Sequence, residues 1–469
     1  MSSQKDFPTS YLVTFFFLNL LLSSYFIDTQ LKWNTTSRVL PVLAVVHDGT
    51  WHIDKYHHLT GDKSYVNGHY YSDKPPLPSL LTIPFYGILK WMGFTTDDET
   101  TLSEKTSNAR KPAYIIGGII SGSIPFAFLV LLIFLFAVKQ KTSFSPVLLT
   151  MLPLYGSFLF IYSGTFFSHL LSGVLLLIAY IFLKYRQKYM LAGLFSGLAF
   201  LCEYTIGIVF PVWAFLIWLN AKSYKKPVLF MAGVLPAVIF LLAYNYLITG
   251  SPFQTLYRYL SNDDFAVQTG ANYGFLHPQP DAIWQLLFSD YRGLFFYVPC
   301  FILLIWVLIK HWRPSLTGLA KNYLFVFSCC FFLAVSSFHA WWGGWCYGPR
   351  YLIPMAVLLA FEGLRFLSTH SFPKTFFWMC VGIGLLVTWM SKSTIFYSMQ
   401  EEIKHPFNEV VFPLFFQNNF HNDNMLTMLF GTSSQIATYI WLAMFIGIIV
   451  LLDFKLRKLK NNKFSKQEF

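Results

Sequence analysis

Long apolar runs recur along the chain, at 10–27, 113–137, 146–164, 166–183, 205–220, 228–248, 293–309, 322–338, 351–368, 375–397 and 435–452, with a shorter one at 189–203. A helix needs about 20 mainly apolar residues to cross a bilayer. A chain built from such runs must bury its backbone polar groups inside helices, because lipid offers them no partner. Composition agrees: 55% of the 469 residues are hydrophobic and only 12% are charged. That balance excludes a soluble globular class and predicts an all-α polytopic membrane protein. The first run lacks a small-residue cleavage site and reads as a retained anchor. The six cysteines show no metal-type spacing and read as packing residues, with Cys346 alone in a loop.

The net charge of +12 does not point to nucleic acid. The cations lie between apolar runs, at Lys139/Lys141, Lys184/Arg186/Lys188, Lys222/Lys225/Lys226, Lys310/Arg313 and Arg365/Lys374, and in the tail Lys455–Lys466. If 77–94 is an embedded segment and not a span, all of these fall on one side, as the positive-inside rule asks. Pro78, Pro84 and Lys90 interrupt that segment. The expectation is therefore about 12 spans (11–13) in a single membrane domain with both ends cytoplasmic. The outer face then holds loops 28–112, 249–292, 339–350 and 398–434, and the basic tail 453–469 lies inside.

The polar chemistry gathers in those loops. The first contains Asp28, Asp48, Asp54, Asp62 and Asp73 beside Arg38, Lys55, Lys63 and Lys74, ringed by Trp51, Tyr56, Tyr65, Tyr70 and Tyr71. Its stretch "SRVLPVLAVV" has helical apolar spacing and is expected to lie along the membrane surface. "GDKSYVNGHYYSDKPP" is turn-rich. Five histidines (His47, His52, His57, His58, His69) stand nearby without tight ligand spacing, so no metal site is assigned, although a divalent metal has candidate ligands. Arg350 in "GPRYLIP" and Arg292 in "SDYRGLFFYVP" each open an apolar run from the outside. An outer arginine can snorkel. It can also grip an anionic headgroup in a bidentate fork. With Lys74 they are expected to form a basic pocket at one depth. Glu203 is either a site residue or the ion-pair partner of Lys74 or Arg292. Glu362 and Arg365 read as a structural pair.

"G-x-Y-Y-S-D-K-P-P" before an embedded segment, the retained first span, the long outer loop, "LAGLFSGLAFLCEYT", "RGLFFYVP" and "WWGGWCYGPRYLIP" together resemble the GT-C membrane glycosyltransferases. The nearest branch is that of the protein mannosyltransferases and the bacterial lipid A aminoarabinose transferase. The resemblance implies a GT-C bundle whose first outer loop carries juxtamembrane helices. It implies transfer of a sugar from a polyprenyl-phosphate donor to a lipid, glycan or protein acceptor outside the cytoplasmic membrane. It places Lys74 beside the donor phosphate and matches Arg38 to the arginine of the first surface helix. Arg350 and Arg292 join the phosphate set, and Tyr71, Tyr351, Glu203 and His339 the substrate pocket. The sequence departs from the family where Thr35 and Thr36 replace its acidic pair, so the base is sought at Asp54, with Asp28 and Asp73 as alternatives. No metal or other cofactor is required, because the leaving group is already a phosphodiester. Two other readings share the same pocket: a flippase of lipid-linked saccharide and an inactive relative. Spans nearly free of charge at mid-depth favour a one-sided enzyme over the flippase.

Overall fold

The first and last long helices lie side by side and antiparallel. In the computed structural model, which describes residues 8–140, 144–269, 272–312 and 316–464, α1 (Thr9–Ser24) and α15 (Ser434–Phe464) are joined at both ends. The Tyr11 hydroxyl donates to the Leu452 carbonyl at 3.0 Å, and the Trp441 indole N–H to that of Leu22 at 3.1 Å. The start of α1 and the end of α15 therefore lie at one end of the bundle, the terminal end. Lys141, Arg313 and Lys466 lie outside the described residues.

Between them the main elements are α2 (Trp33–Leu43), the strands β1 (Lys63–Val66) and β2 (His69–Ser72), α3 (Leu77–Trp91), α4 (Lys111–Ala137), α5 (Pro146–Tyr155), α6 (His169–Lys184), α7 (Tyr189–Phe200), α8 (Tyr204–Ala221), α9 (Lys225–Thr249), α10 (Pro280–Phe288), α11 (Cys300–Trp312), α12 (Tyr323–Ser336), α13 (Ile353–Leu367) and α14 (Lys374–Thr394). Among the described residues five helices are long and apolar enough to cross a membrane: α4, α8, α9, α14 and α15. The other apolar helices have 10–17 residues. Helix α13 is the centre of the bundle, with every residue from Ile353 to Leu364 buried against α4, α6, α11 and α12. Gly193 of α7 and Gly233 of α9 let two backbones touch. A Cβ at Gly193 would stand 1.9 Å from the Phe230 carbonyl oxygen, and one at Gly233 2.0 Å from that of Met190.

Several apolar runs are not the single helices their length suggests. The run 146–164 breaks after Tyr155, resumes over Phe158–Ile161, and turns at Gly164, whose φ is +69°. The run 293–309 is split at Pro299, which has no N–H to continue the helix from Leu294–Tyr297 into α11. Conversely, α3 runs straight through Pro84. At 15 residues it is about 22 Å long, short of the roughly 30 Å hydrocarbon core. Helix α2 is covered by protein: Thr35 to Leu43 are all buried, because α3, α4 and the hairpin pack over it. The turn-rich stretch is a β-hairpin with Lys63 opposite Ser72, closed by Asn67 and Gly68, both at positive φ. That is the Asn-Gly turn whose twist matches paired strands.

Alternate helices place their ends at alternate ends of the bundle. Ser168, His169, Glu203 and Arg350 stand at the end opposite the chain termini, as does Asp28, whose carboxylate meets Tyr397 just beyond α14. Lys184, Lys226 and Lys321 line a cavity of about 440 Å³ at the terminal end. There Glu362 takes Arg365 at 2.9 Å and Lys184 at 2.7 Å.

The loop end is also pinned by His421. Its Nε2 donates to the Lys392 carbonyl at 2.8 Å and its Nδ1 accepts the Asp423 N–H at 3.0 Å. Only a neutral ring satisfies both, and burial pushes its pKa down to about 4. A histidine whose folded pKa lies below its unfolded value opposes folding as it protonates. Stability is therefore lost as pH falls from about 6.5 through about 4. In detergent, the drop in unfolding temperature between neutral pH and the acid side of this window is expected to be smaller in His421→Gln than in wild type. An equal drop in both proteins contradicts the assignment.

Candidate active site

Register in the hairpin sets the first cation. Pairing of Lys63 with Ser72 puts Asp62 and Asp73 side by side, and Lys74 reaches between them, 2.7 Å from Asp62 and 2.8 Å from Asp73. The Ser37 hydroxyl of α2 donates to the other Asp73 oxygen at 3.1 Å. Asp73 thus holds Lys74 in place, with both of its oxygens engaged. Burial opposes the Lys74 charge, but the two carboxylates outweigh it and hold the ammonium well above its usual range. The Leu77 N–H donates to the Leu201 carbonyl, which lays this segment against the end of α7.

Two guanidinium groups share one aromatic ring. Arg38 lies 5.9 Å and Arg350 4.9 Å from the centre of Phe167. Arg38 donates to the Asn34 carbonyl at 3.0 Å and to the Ser168 hydroxyl at 2.7 Å, and stands 3.8 Å from Glu203. Arg350 is 7% exposed. Among the described residues no carboxylate lies within 4 Å of it, and its side-chain partner is the Tyr351 hydroxyl at 3.5 Å. The Nε of each arginine is buried without an acceptor. A buried charge in this state is costly unless an anion joins it. Lys74, Arg38, Arg350, His169 and Glu203 are near enough for their charges to act on one another.

Glu203 follows α7 where that helix ends. One oxygen accepts the Ser168 hydroxyl, lies 3.1 Å from His169 Nδ1, and faces Arg38. Its partner is Arg38, in place of the expected Lys74 or Arg292. Burial pushes the Glu203 carboxyl up, against the pull of Arg38. His169 and Ser168 escaped the sequence reading. A polar Ser-His pair opening an apolar run was the available signal.

The other expected residues lie apart from this group. Arg292 is fully buried, and its three donors go to the carbonyls of Trp342 (2.9 Å), Tyr291 (2.9 Å) and Gly344 (3.1 Å). Its charge is spent on holding the loop 339–350. Asp54 pairs with His52 at 3.0 Å and His69 at 2.6 Å, and accepts the Tyr70 N–H, so it makes no ion pair with Lys74, Arg38 or Arg350. Asp28 is 1% exposed and accepts the Tyr397 hydroxyl at 2.7 Å, with Lys32 at 3.6 Å. Beside it Thr35 faces Tyr397, and Thr36 exchanges a hydrogen bond with Tyr114 at 2.6 Å. Tyr71 packs in an apolar satellite with Val66, Ile248 and Leu256. His339 is exposed, with its N–H on the Gly274 carbonyl. Tyr351 alone of the expected aromatic set touches the arginine pocket. Its ring lies 5.1 Å from Arg350 and edge-on to His169. Cys346 is buried.

The two arginines differ in what their removal exposes. Arg292→Met takes its donor from the Gly344 carbonyl and leaves those of Tyr291 and Trp342 with only the Tyr297 hydroxyl and the weak Cys346 thiol, and is expected to cost about 1–3 kcal/mol, read as a fall in unfolding temperature. Arg350→Met removes a charge that has no carboxylate, so the unfolding temperature is expected to hold or rise. The reverse order contradicts the distinction.

No family model and no curated protein sequence matches the chain. Solved structures do. ArnT from Cupriavidus metallidurans, bound to undecaprenyl phosphate, aligns over 95% of this chain and 77% of its own, at 12% identity and a TM-score of 0.50. The archaeal oligosaccharyltransferase AglB from Archaeoglobus fulgidus, in complex with an inhibitory peptide and a dolichol-phosphate, aligns over 81% of this chain at 13% identity and a TM-score of 0.43. The chain spans about half of AglB, 54% of its length. The protein has the fold of the GT-C membrane glycosyltransferases.

Proposed function

We propose that the protein is a glycosyltransferase that moves a sugar from a polyprenyl-phosphate donor to an acceptor at the loop end of the bundle, on the outer face of the membrane. The observation that carries this reading is Arg350, a buried guanidinium with no carboxylate partner, set over Phe167 beside Arg38 and Lys74. A phosphodiester supplies the missing anion, and its planar oxygens match the guanidinium fork. The shared fold with ArnT, whose structure holds undecaprenyl phosphate, supports a lipid-linked donor.

In this mechanism the acceptor hydroxyl or amine attacks the anomeric carbon while the bond from that carbon to the phosphate oxygen breaks. The acceptor proton passes to a carboxylate. Glu203 is the best placed, because its described contacts fall on one oxygen and burial raises its proton affinity. Asp73 is occupied by Lys74 and Ser37, and Asp54 by two histidines. The polyprenyl phosphate leaves with an added negative charge, which Arg350, Lys74 and Arg38 stabilise. A single displacement inverts the anomeric centre. The donor's lipid tail lies between apolar helices, and the roughly 12-span arrangement with cytoplasmic termini belongs to the same reading.

The test uses purified protein with a polyprenyl-phosphate sugar and an acceptor extract. Glu203→Gln is expected to lower turnover about 10²–10⁴-fold. Arg350→Lys is expected to lower it about 10²-fold, because the ammonium lacks the fork. Wild-type activity is expected to fall on the acid side at a pH above the ordinary carboxylate range, as Glu203 protonates. Unchanged transfer in both variants refutes the assignment.

A further inference from the structure

The three side chains that the arginine pocket leaves out meet each other. Among the described residues, His52, Asp54 and His69 form the one group of three or more His, Cys, Asp or Glu side chains whose ligating atoms lie within 4.8 Å of one another. Both imidazoles turn Nδ1 to the same Asp54 oxygen, Oδ2, at 3.0 Å from His52 and 2.6 Å from His69. The rings stack at 4.5 Å, 25° from parallel. We propose that this cluster is a divalent transition-metal site of the zinc type, with His52 Nδ1, His69 Nδ1 and Asp54 Oδ2 as its three protein ligands.

The surroundings suit the role. Two imidazoles and one carboxylate are borderline ligands that suit zinc and not an oxygen-seeking cation such as magnesium. Ligands bound to one tetrahedral zinc stand about 3.4 Å apart. The 3.0 Å and 2.6 Å separations would have to open by about 0.4 and 0.8 Å to reach that spacing, and all three side chains are partly exposed, which leaves them room to do so. The backbone under them is fixed. The Ile53 N–H donates to the Tyr70 carbonyl at 2.7 Å, which locks segment 52–54 against β2. The Tyr70 N–H donates to Asp54 Oδ1 at 2.6 Å and so turns Oδ2 to the imidazoles, the kind of outer contact that orients a ligand. A metal would take the place of the proton shared by His69 Nδ1 and Asp54 Oδ2, and three protein ligands leave one position for water.

The consequence is mechanical. The metal would tie segment 52–54 to the strand that runs directly into Asp73 and Lys74. The inference does not depend on the proposed transfer activity, and its test reads metal binding alone.

Full-length protein, purified in detergent without a polyhistidine tag and stripped with chelator, is titrated with zinc chloride. We expect one zinc per chain retained through gel filtration, a higher unfolding temperature with zinc, and, with copper substituted, an electron paramagnetic resonance signal showing two nitrogen ligands. His52→Asn and His69→Asn are each expected to lower zinc affinity at least ~10-fold and to abolish the thermal shift, while unfolding like wild type in chelator. His58→Asn, outside the cluster, is expected to keep both. Retention of less than one zinc per chain overturns the proposal, as does undiminished affinity in His52→Asn/His69→Asn.

Discussion

A cation withdrawn from water at the end of an apolar bundle must be met by carboxylates, by carbonyl dipoles or by an incoming anion, and this chain uses each solution in a different place. Lys74 takes two carboxylates. Arg292 takes three carbonyls, and Lys392 takes those of Ile161 and Ser163 at 2.8 and 2.6 Å. Arg350 has neither. The carbonyl solution builds the end of the molecule: Arg292 holds the loop 339–350 and Lys392 the turn before Phe167, the ring on which Arg350 rests. The last defines a site, because there the fold leaves a buried guanidinium for something else to satisfy.

The gross architecture was legible because it follows from hydropathy. Most of the apolar runs are helices, and the basic residues Lys184 and Lys226 lie at the end shared by the start of α1 and the end of α15. Helix breaks were less legible. Pro299 stops a helix, yet Pro84 rides inside one. Whether a proline disrupts depends on where the freed carbonyl points, which is a tertiary matter. The β-hairpin had a local signature in Asn67-Gly68, overshadowed by the polar composition around it.

At the site, residue type was legible and partnership was not. Arg292 and Arg350 look alike in sequence, each opening an apolar run from the same side. Their difference lies in the carbonyls of Trp342 and Gly344, which Arg292 reaches only because the loop folds back on it. Asp54 looked like the stronger base because it stood in the right loop. Only the pairing of Ile53 with Tyr70 shows that it faces histidines instead. Glu203 was visible as an ionisable group in an apolar setting, but its His169 and Ser168 neighbours come from another helix.

The length of α15 has a practical consequence. Its 31 residues extend about 46 Å, well over the roughly 30 Å of a hydrocarbon core. Leu452, level with the start of α1, is followed by a dozen more helical residues. The helix stays packed on the bundle through Leu456 and Leu459 and runs on to Phe464 as a stiff rod at the end away from the arginine pocket. A helical protein joined to it in continuous register would keep a fixed orientation. Such a fusion offers an alignment marker for electron cryomicroscopy, where a small chain buried in a micelle otherwise presents few features.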